Sequence, residues 1–340
     1  MMLNTSELQK QIGQMLMLGF TETQVVSNSD IIQAIQKNHI GQLILYEHNI
    51  QNTVQLTSLT QNLKQSAPHS LWLAIDHEGG QVNRLKPHHG FASFPSAQAL
   101  GEANDLQLTF EWSEQIAILL KSLGIDLNLA PVVDLNTNPS NPIISMKHRS
   151  YSSNPEIVYQ QASEFIKAHH LHQIMTALKH FPGHGSSQQD SHLGFVNVSE
   201  TWHENELIPY QKLIMSNICP MIMTAHIFNR QLDAEYPATL SQKIIHDLLR
   251  NKLKYDGVII SDDLQMKAIS HHYGMEQAIF LAIQAGVDIL LFSNQYPYDP
   301  NLAEIISQII QKLVQNKAIS PTRIKNSYDK ILQLKKSYVV

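Results

Sequence analysis

Short apolar runs alternate with longer amphipathic stretches along almost the whole chain. The short runs are continuously apolar, as in strands that are buried on both faces of a sheet. We predict eight such strands, at about 15–19, 41–46, 71–75, 126–130, 176–179, 221–225, 257–261 and 288–292. The stretches between them have helical spacing, except for a long irregular segment at 134–154.

This order of a strand followed by a helix, repeated about eight times, is typical of a parallel sheet covered by helices. A count near eight favours a closed α/β barrel of the (β/α)8 type over an open doubly wound sheet. No low-complexity linker interrupts the 340 residues, so we expect a single domain over residues 1–340.

Composition and charge narrow the possible functions. The formal net charge is −5 and no basic block stands out, so we do not expect a nucleic-acid partner. Cys219 is the single cysteine, which excludes an intramolecular disulfide and fits a reducing compartment. The first 20 residues contain neither a signal core nor a membrane span. We therefore expect a cytoplasmic protein. We also expect a monomer without a cofactor or a metal, although these features of the sequence do not bear on the oligomeric state.

Ionisable residues follow the predicted strands in a pattern that the barrel hypothesis explains. Active sites of such barrels lie at the C-terminal ends of the strands. Five of the strands are followed by ionisable residues, namely Asp76, His77, Glu78, Asp134, Lys179, His180, His226, Asp262 and Asp263. Arg84 and Arg149 lie on the loops beyond. The sequence thus predicts one polar rim.

The segment after the fifth strand is the richest in candidate chemistry. It reads KHFPGHGSSQQDSH from Lys179 to His192, and its proline and glycines predict a loop. Asp190 and His192 lie two residues apart. A carboxylate beside an imidazole holds one tautomer and raises its basicity, which suits proton transfer. On spacing alone, a solvated pair on a loop is an equally good interpretation.

Other candidates also have ordinary explanations. We assign the rim-facing role to Asp262 and a helix-capping role to Asp263. Arg84 and Arg149, each taken alone, fit ordinary surface charges. Lys179 is harder to explain as a surface residue, because a buried cation needs an anionic or hydroxyl partner.

Four motifs together resemble glycoside hydrolase family 3. In chain order they are IDHEGGQVNRL, KHRSY, KHFPGHG followed by DSH, and IISDDLQM. The chain is more narrowly similar to the single-domain bacterial β-N-acetylglucosaminidases of peptidoglycan recycling, from about residue 13 to residue 292. Their fold, a (β/α)8 barrel, agrees with the strand count.

The resemblance implies roles for the candidate residues. Asp262 matches the catalytic nucleophile, His192 the general acid/base and Asp190 its partner in a dyad. The residues that match the sugar-binding positions of the non-reducing-end subsite are Asp76, Arg84, Arg149, Lys179 and His180, with His226 as a further candidate. The implied substrate is GlcNAc linked β-1,4 to 1,6-anhydro-N-acetylmuramic acid, with or without its peptide.

Three alternatives stay open. Another specificity within the family, such as that of a β-glucosidase, is the nearest. A metal-dependent hydrolase would use His180, His184, Asp190 and His192 as ligands, although no HxH or HExxH spacing occurs and Lys179 beside a cation is unfavourable. A non-catalytic sugar-binding barrel is the third.

Overall fold

The computed structural model describes residues 5–190, 194, 196–295 and 297–338. Its main sheet contains eight parallel strands. In chain order they are Leu16–Gly19, Gln42–Leu45, Trp72–Ile75, Leu127–Asn128, Met175–Phe181, Met221–Thr224, Val258–Ile260 and Leu290–Phe292. We refer to them as the first to eighth strands.

The sheet closes on itself. The spatial order of the strands is seven, six, five, four, three, two, one, eight, so sequence neighbours pair throughout. A parallel bridge between Ile260 and Ile289 joins the seventh strand to the start of the eighth. Since the closed sheet has eight parallel strands with helices between them, the predicted (β/α)8 barrel is confirmed.

Helices surround the barrel. The α-helices are Thr5–Gln14, Asp30–Asn38, Thr53–Ser66, Ala97–Ala103, Leu106–Ser122, Pro155–Leu171, Ile208–Met215, Lys267–Ser270, Met275–Ala285, Leu302–Gln315 and Pro321–Ser337. A π-type helix spans Lys243–Lys252. Several helices begin where a short polar side chain accepts a backbone N–H, as Asn52, Asp105 and Ser320 do. These caps satisfy a backbone N–H of the first turn and so fix the residue at which each helix begins.

Two strands differ from the prediction. The fourth is shorter, Leu127–Asn128, although the Leu129 N–H still donates to the Ile75 carbonyl at 2.8 Å and the Ala130 carbonyl accepts from Ala177 at 3.0 Å. The fifth is longer, Met175–Phe181, so His180 lies within the strand and not just after it. The stretch of helical spacing between the fifth and sixth strands is divided into a 3-10 turn, Glu204–Leu207, and the α-helix that follows.

A small antiparallel hairpin after the third strand escaped prediction. It pairs His77–Gly79 with Val82–Asn83, and Gly79 and Gly80 turn it with positive φ angles of 91° and 58°. A Cβ on Gly79 would lie 2.2 Å from the carbonyl oxygen of Pro95. Only glycine fits this turn, which brings Glu78 and Arg84 towards the barrel mouth.

The apolar strand residues are fully buried, both inside the barrel and against the helices. Within the described ranges, no helix is both long enough and apolar enough to cross a membrane.

Candidate active site

A cavity of about 500 Å³ opens at the C-terminal ends of the strands. This volume lies in the usual range for small-molecule sites. Six of the nine predicted site residues line it, namely Asp76, Arg84, Arg149, Lys179, His180 and Asp262. The third, fourth, fifth and seventh strands, or the loops that follow them, supply these side chains.

The floor of the cavity is a buried lysine held by two carboxylates. Lys179 is 2% exposed, and its Nζ donates to Asp76 Oδ1 at 2.8 Å and to Glu78 Oε1 at 2.6 Å. Burial by itself would raise the pKa of Asp76, but the ion pairs with Lys179 and Arg84 outweigh it and hold that pKa well below its usual range. Asp76 is therefore ionised at neutral pH.

Arg149 completes this network from the loop after the fourth strand. Its Nε and Nη2 donate to the two carboxylate oxygens of Glu78 at 2.8 Å and 2.7 Å, a bidentate pair. Burial alone would raise the pKa of Glu78, yet Arg149 and Lys179 lower it to about 2. Arg84 Nη2 donates to Asp76 Oδ2 at 3.0 Å. Every charge on the floor thus has an opposite partner.

Asp134 orients the two histidines of the cavity. It is 1% exposed and accepts from His180 Nδ1 at 2.7 Å and from the backbone N–H of His184 at 2.8 Å. The proton of a neutral His180 therefore sits on Nδ1, and its Nε2 faces Arg149 Nη2 at 3.4 Å. Burial lowers the pKa of His184 to about 4, so this ring is neutral at pH 7.

Asp262 lies on the cavity wall directly after the seventh strand. It is half-buried, and one carboxylate oxygen accepts from the N–H of Asp263 at 2.8 Å. Asp263 Oδ1 accepts from the backbone N–H groups of Gln265 and Ser293 at 3.0 Å each. Burial raises the pKa of Asp263 in spite of these bonds. The two neighbouring carboxylates thus have different surroundings, with Asp263 binding the backbone beneath Asp262.

The structure does not bring His226 to the cavity wall among the described lining residues. His226 is 2% exposed, its Nδ1 lies 2.8 Å from Thr239 Oγ1, and its Nε2 donates to the backbone carbonyl of Asp263 at 2.8 Å. It therefore supports the turn that carries Asp262 from below.

The predicted acid/base pair is described only in part. Asp190 is half-buried and is not among the described residues that line the cavity. His192 lies outside the described residues. Its pairing with Asp190, and its position relative to Asp262, stay predictions.

A buried glutamate supports the base of that loop. Glu206 is 1% exposed, and its Oε2 accepts from the N–H of Gly185 at 3.0 Å. A Cβ on Gly183 would lie 2.5 Å from Glu206 Cβ, so the loop packs directly on this side chain. Trp202 Nε1 donates to the carbonyl of Pro182 at 3.1 Å. Burial, together with the charge of Asp134, raises the pKa of Glu206 to about 8.

Within the described ranges, one group of side chains has the spacing of metal ligands. Glu47, His88 and His89 each place a ligand atom within 4.8 Å of the others. They lie outside the lining of the cavity. The histidines in the cavity have other bonds: His180 Nδ1 to Asp134, and His184 Nδ1 with Ser187 Oγ at 2.7 Å.

Three residues of the site received no role from the sequence: Glu78, Asp134 and Glu206. Glu78 and Asp134 follow predicted strands, so the sequence indicated their position at the rim of the barrel. It did not indicate the side chains to which they bond. Glu206 lies in a predicted helix, where a glutamate is ordinarily exposed, and no local pattern distinguishes it.

A closed (β/α)8 barrel with a charged cavity at the C-terminal ends of its strands has the architecture of the barrel enzymes. Comparisons with known proteins show the family. The family model "Glycosyl hydrolase family 3 N terminal domain" matches residues 7–334. The chain belongs to glycosyl hydrolase family 3.

Individual relatives are similar over most of this chain. The β-hexosaminidase A of Pseudoalteromonas piscicida is 37% identical over 285 residues, which are 77% of this chain but 47% of that protein. The β-hexosaminidase of Tolumonas auensis is 37% identical over 262 residues, 75% of this chain and 76% of that one.

A family 3 β-N-acetylglucosaminidase from Paenibacillus sp. superposes with a TM-score of 0.90 at 33% identity, covering 97% of this chain and 62% of that one. The chain thus spans about half of the first relative, most of the second and under two thirds of this third protein.

Proposed function

We propose that the protein is a retaining exo-β-N-acetylglucosaminidase that removes a terminal GlcNAc by double displacement. The observation that carries this proposal is the carboxylate of Asp262 on the wall of a cavity with a charge-paired floor. A retaining glycosidase needs an ionised carboxylate to attack the anomeric carbon and an acid to protonate the leaving oxygen. Asp262 takes the first role and forms the covalent glycosyl-enzyme.

The floor would hold a single sugar ring. Asp76, Arg84, Arg149, Lys179 and His180 offer charged donors and acceptors for sugar hydroxyls, and such charge-assisted bonds are strong. Their ion pairs exist before a sugar arrives, so little reorganisation is needed on binding. Exo action would follow if the terminal sugar alone enters the cavity and rests on this floor.

His192, with Asp190 as its dyad partner, would act as the acid/base. In the first step its imidazolium gives a proton to the leaving oxygen while Asp262 attacks. In the second step the neutral ring takes a proton from water, which attacks the glycosyl-enzyme and releases Asp262. The motif QDSH supports this assignment.

The substrate assignment depends on relatives. Selectivity for a 2-acetamido group is supported by their names, β-hexosaminidase and β-N-acetylglucosaminidase. We propose GlcNAc-β-1,4-(1,6-anhydro)MurNAc and its peptide-bearing forms as natural substrates, cleaved in the cytoplasm by a monomer during cell-wall recycling. Neither a metal nor a cofactor has a part in this mechanism.

A substrate panel tests the proposal. We expect p-nitrophenyl β-GlcNAc to be hydrolysed far faster than p-nitrophenyl β-glucoside, and activity to persist in EDTA. Asp262→Ala should reduce kcat by about a thousand-fold or more, and His192→Ala should also reduce it strongly. Asp247→Ala, an exposed aspartate outside the cavity, is the matched control.

Each alternative has its own outcome. A preference for glucose would favour a β-glucosidase, and loss of activity in EDTA a metal-dependent hydrolase. Unchanged turnover by Asp262→Ala would remove the nucleophile assignment, while sugar binding without turnover in the wild type would indicate a binding protein.

A further inference from the structure

The cations of the cavity divide into two groups. Arg84, Arg149 and Lys179 each form an ion pair with Asp76 or Glu78. Lys147 and Lys267 also line the cavity, but neither has a carboxylate partner within salt-bridge distance in the described part of the chain. These two lysines therefore bring positive charge to the cavity without an ion-pair partner among the described residues.

The two groups also differ in depth. Lys179 is 2% exposed and the side chain of Arg149 is 10% exposed, so these cations belong to the floor. Lys147 is half-buried and Lys267 is exposed, so both belong to the mouth. Charges at the mouth meet the part of a ligand that points towards solvent.

The lysines come from well-separated strands. Lys147 ends the 3-10 turn Ser145–Lys147 after the fourth strand, and Lys267 begins the short helix after the seventh strand. Two strands, the fifth and sixth, lie between these in the barrel order. Both side chains line the same cavity, and lysine side chains are flexible.

We infer that Lys147 and Lys267 form a subsite for the leaving group that selects an anionic aglycone, one bearing a carboxylate. This inference rests on the proposed function, because the floor must hold the terminal sugar for the aglycone to lie at the mouth. A carboxylate on the aglycone would supply the ion-pair partner that neither lysine has among the described residues. A neutral aglycone would leave them paired with water only.

The test compares two substrates that differ in one charge. They are GlcNAc-β-1,4-(1,6-anhydro)MurNAc with its free carboxylate, and the same disaccharide as the methyl ester. An exposed ion pair contributes a factor of roughly two to five, so two pairs predict a preference of about ten-fold in kcat/KM for the free acid. Salt at about 0.5 M should reduce the preference to about two-fold.

Variants assign the preference to these residues. The double variant Lys147→Gln/Lys267→Gln should bring the ratio of acid to ester to within about two-fold, and each single variant should lie between. Lys10→Gln removes the same charge from an exposed position outside the cavity and should keep the wild-type ratio. Equal hydrolysis of both substrates by the wild type, or an unchanged ratio in the double variant, would overturn the inference.

If the proposed function is wrong, the experiment gives a different result. In that case the wild type would hydrolyse neither substrate. Calorimetric binding of 1,6-anhydroMurNAc and of its methyl ester would then decide the inference by itself: tighter binding of the acid that the double variant loses supports it, and equal binding contradicts it.

Discussion

Two lysines, both 2% exposed, lie at opposite ends of the barrel. At the C-terminal end, in the floor of the cavity, Lys179 is bonded to two carboxylates, those of Asp76 and Glu78. At the N-terminal end, Lys335 of the last helix donates only to neutral oxygens. These are Gln14 Oε1 at 3.0 Å, the Gly41 carbonyl at 2.8 Å and the Ser70 carbonyl at 2.9 Å.

The difference shows what a buried charge is used for. Burial lowers the pKa of Lys335 to about 7, and the more distant Asp126 only partly opposes this. Lys335 joins the segments that lead into the first three strands, so its role is structural. In the floor of the cavity, the neighbouring cations favour the ionised forms of Asp76 and Glu78. The floor therefore holds strong hydrogen-bond donors and acceptors for a ligand. The barrel thus separates a binding end from a structural end.

The largest effect should come from breaking the floor. Lys179→Met leaves Asp76 and Glu78 buried with one cation fewer each, which we expect to cost about 3–5 kcal/mol of unfolding free energy. Activity on p-nitrophenyl β-GlcNAc should fall by at least about a hundred-fold. Urea unfolding and kinetics measure both. A decrease in unfolding free energy of less than about 1 kcal/mol would mean that Lys179 does not stabilise the floor.

A second prediction concerns pH at the binding end. The pKa of Glu206 is raised from its usual 4.5 to about 8, so the folded state keeps a proton that the unfolded state releases between these values. The free energy of unfolding should therefore fall as pH rises through this window, by on the order of 4 kcal/mol. Glu206→Gln keeps the shape but cannot ionise.

Thermal or urea unfolding of both proteins from pH 5 to pH 9 tests this. The variant should match the wild type near pH 5 and exceed its stability near pH 9. Parallel pH profiles would show that Glu206 does not titrate in this window.

The smallest effect should be at the structural end, with the opposite pH trend. The pKa of Lys335 falls from 10.5 to about 7, so the unfolded state binds more protons between these values and stability rises with pH. Relative to Lys335→Met, the wild type should gain about 3 kcal/mol between pH 7 and pH 9.5. Kinetic parameters of the folded variant should stay unchanged. A constant difference across this range would mean that the lysine remains charged.

Much of the fold could be predicted because barrel strands carry a local signal. Residues buried on both faces are apolar in unbroken runs, and each run stands out from its amphipathic neighbours. The hairpin at His77–Asn83 was missed because its strands are only three and two residues long. Neither strand is an unbroken apolar run, since the sequences are HEG and VN. The C-terminal end of the fifth strand was missed because His180 resembles a loop residue until its partner Asp134 is known.

Part of the candidate site could also be predicted from the sequence. Asp262 and Lys179 were visible as ionisable groups at the ends of apolar runs, and Arg149 as a charge on a loop beyond; the three do share one cavity. The structural roles of Glu206 and His226 were not visible, because each depends on a backbone group from a distant loop.

Local order along the chain was enough to establish the repeat of strand and helix, the direction of each strand and the end at which the polar residues gather. Pairing was not local. Lys179 meets Asp76 across 103 positions and Arg149 meets Glu78 across 71, and those contacts exist only once the sheet has closed. The curvature of the barrel selects which buried charges touch, and nothing in the neighbouring residues of either partner encodes that distance.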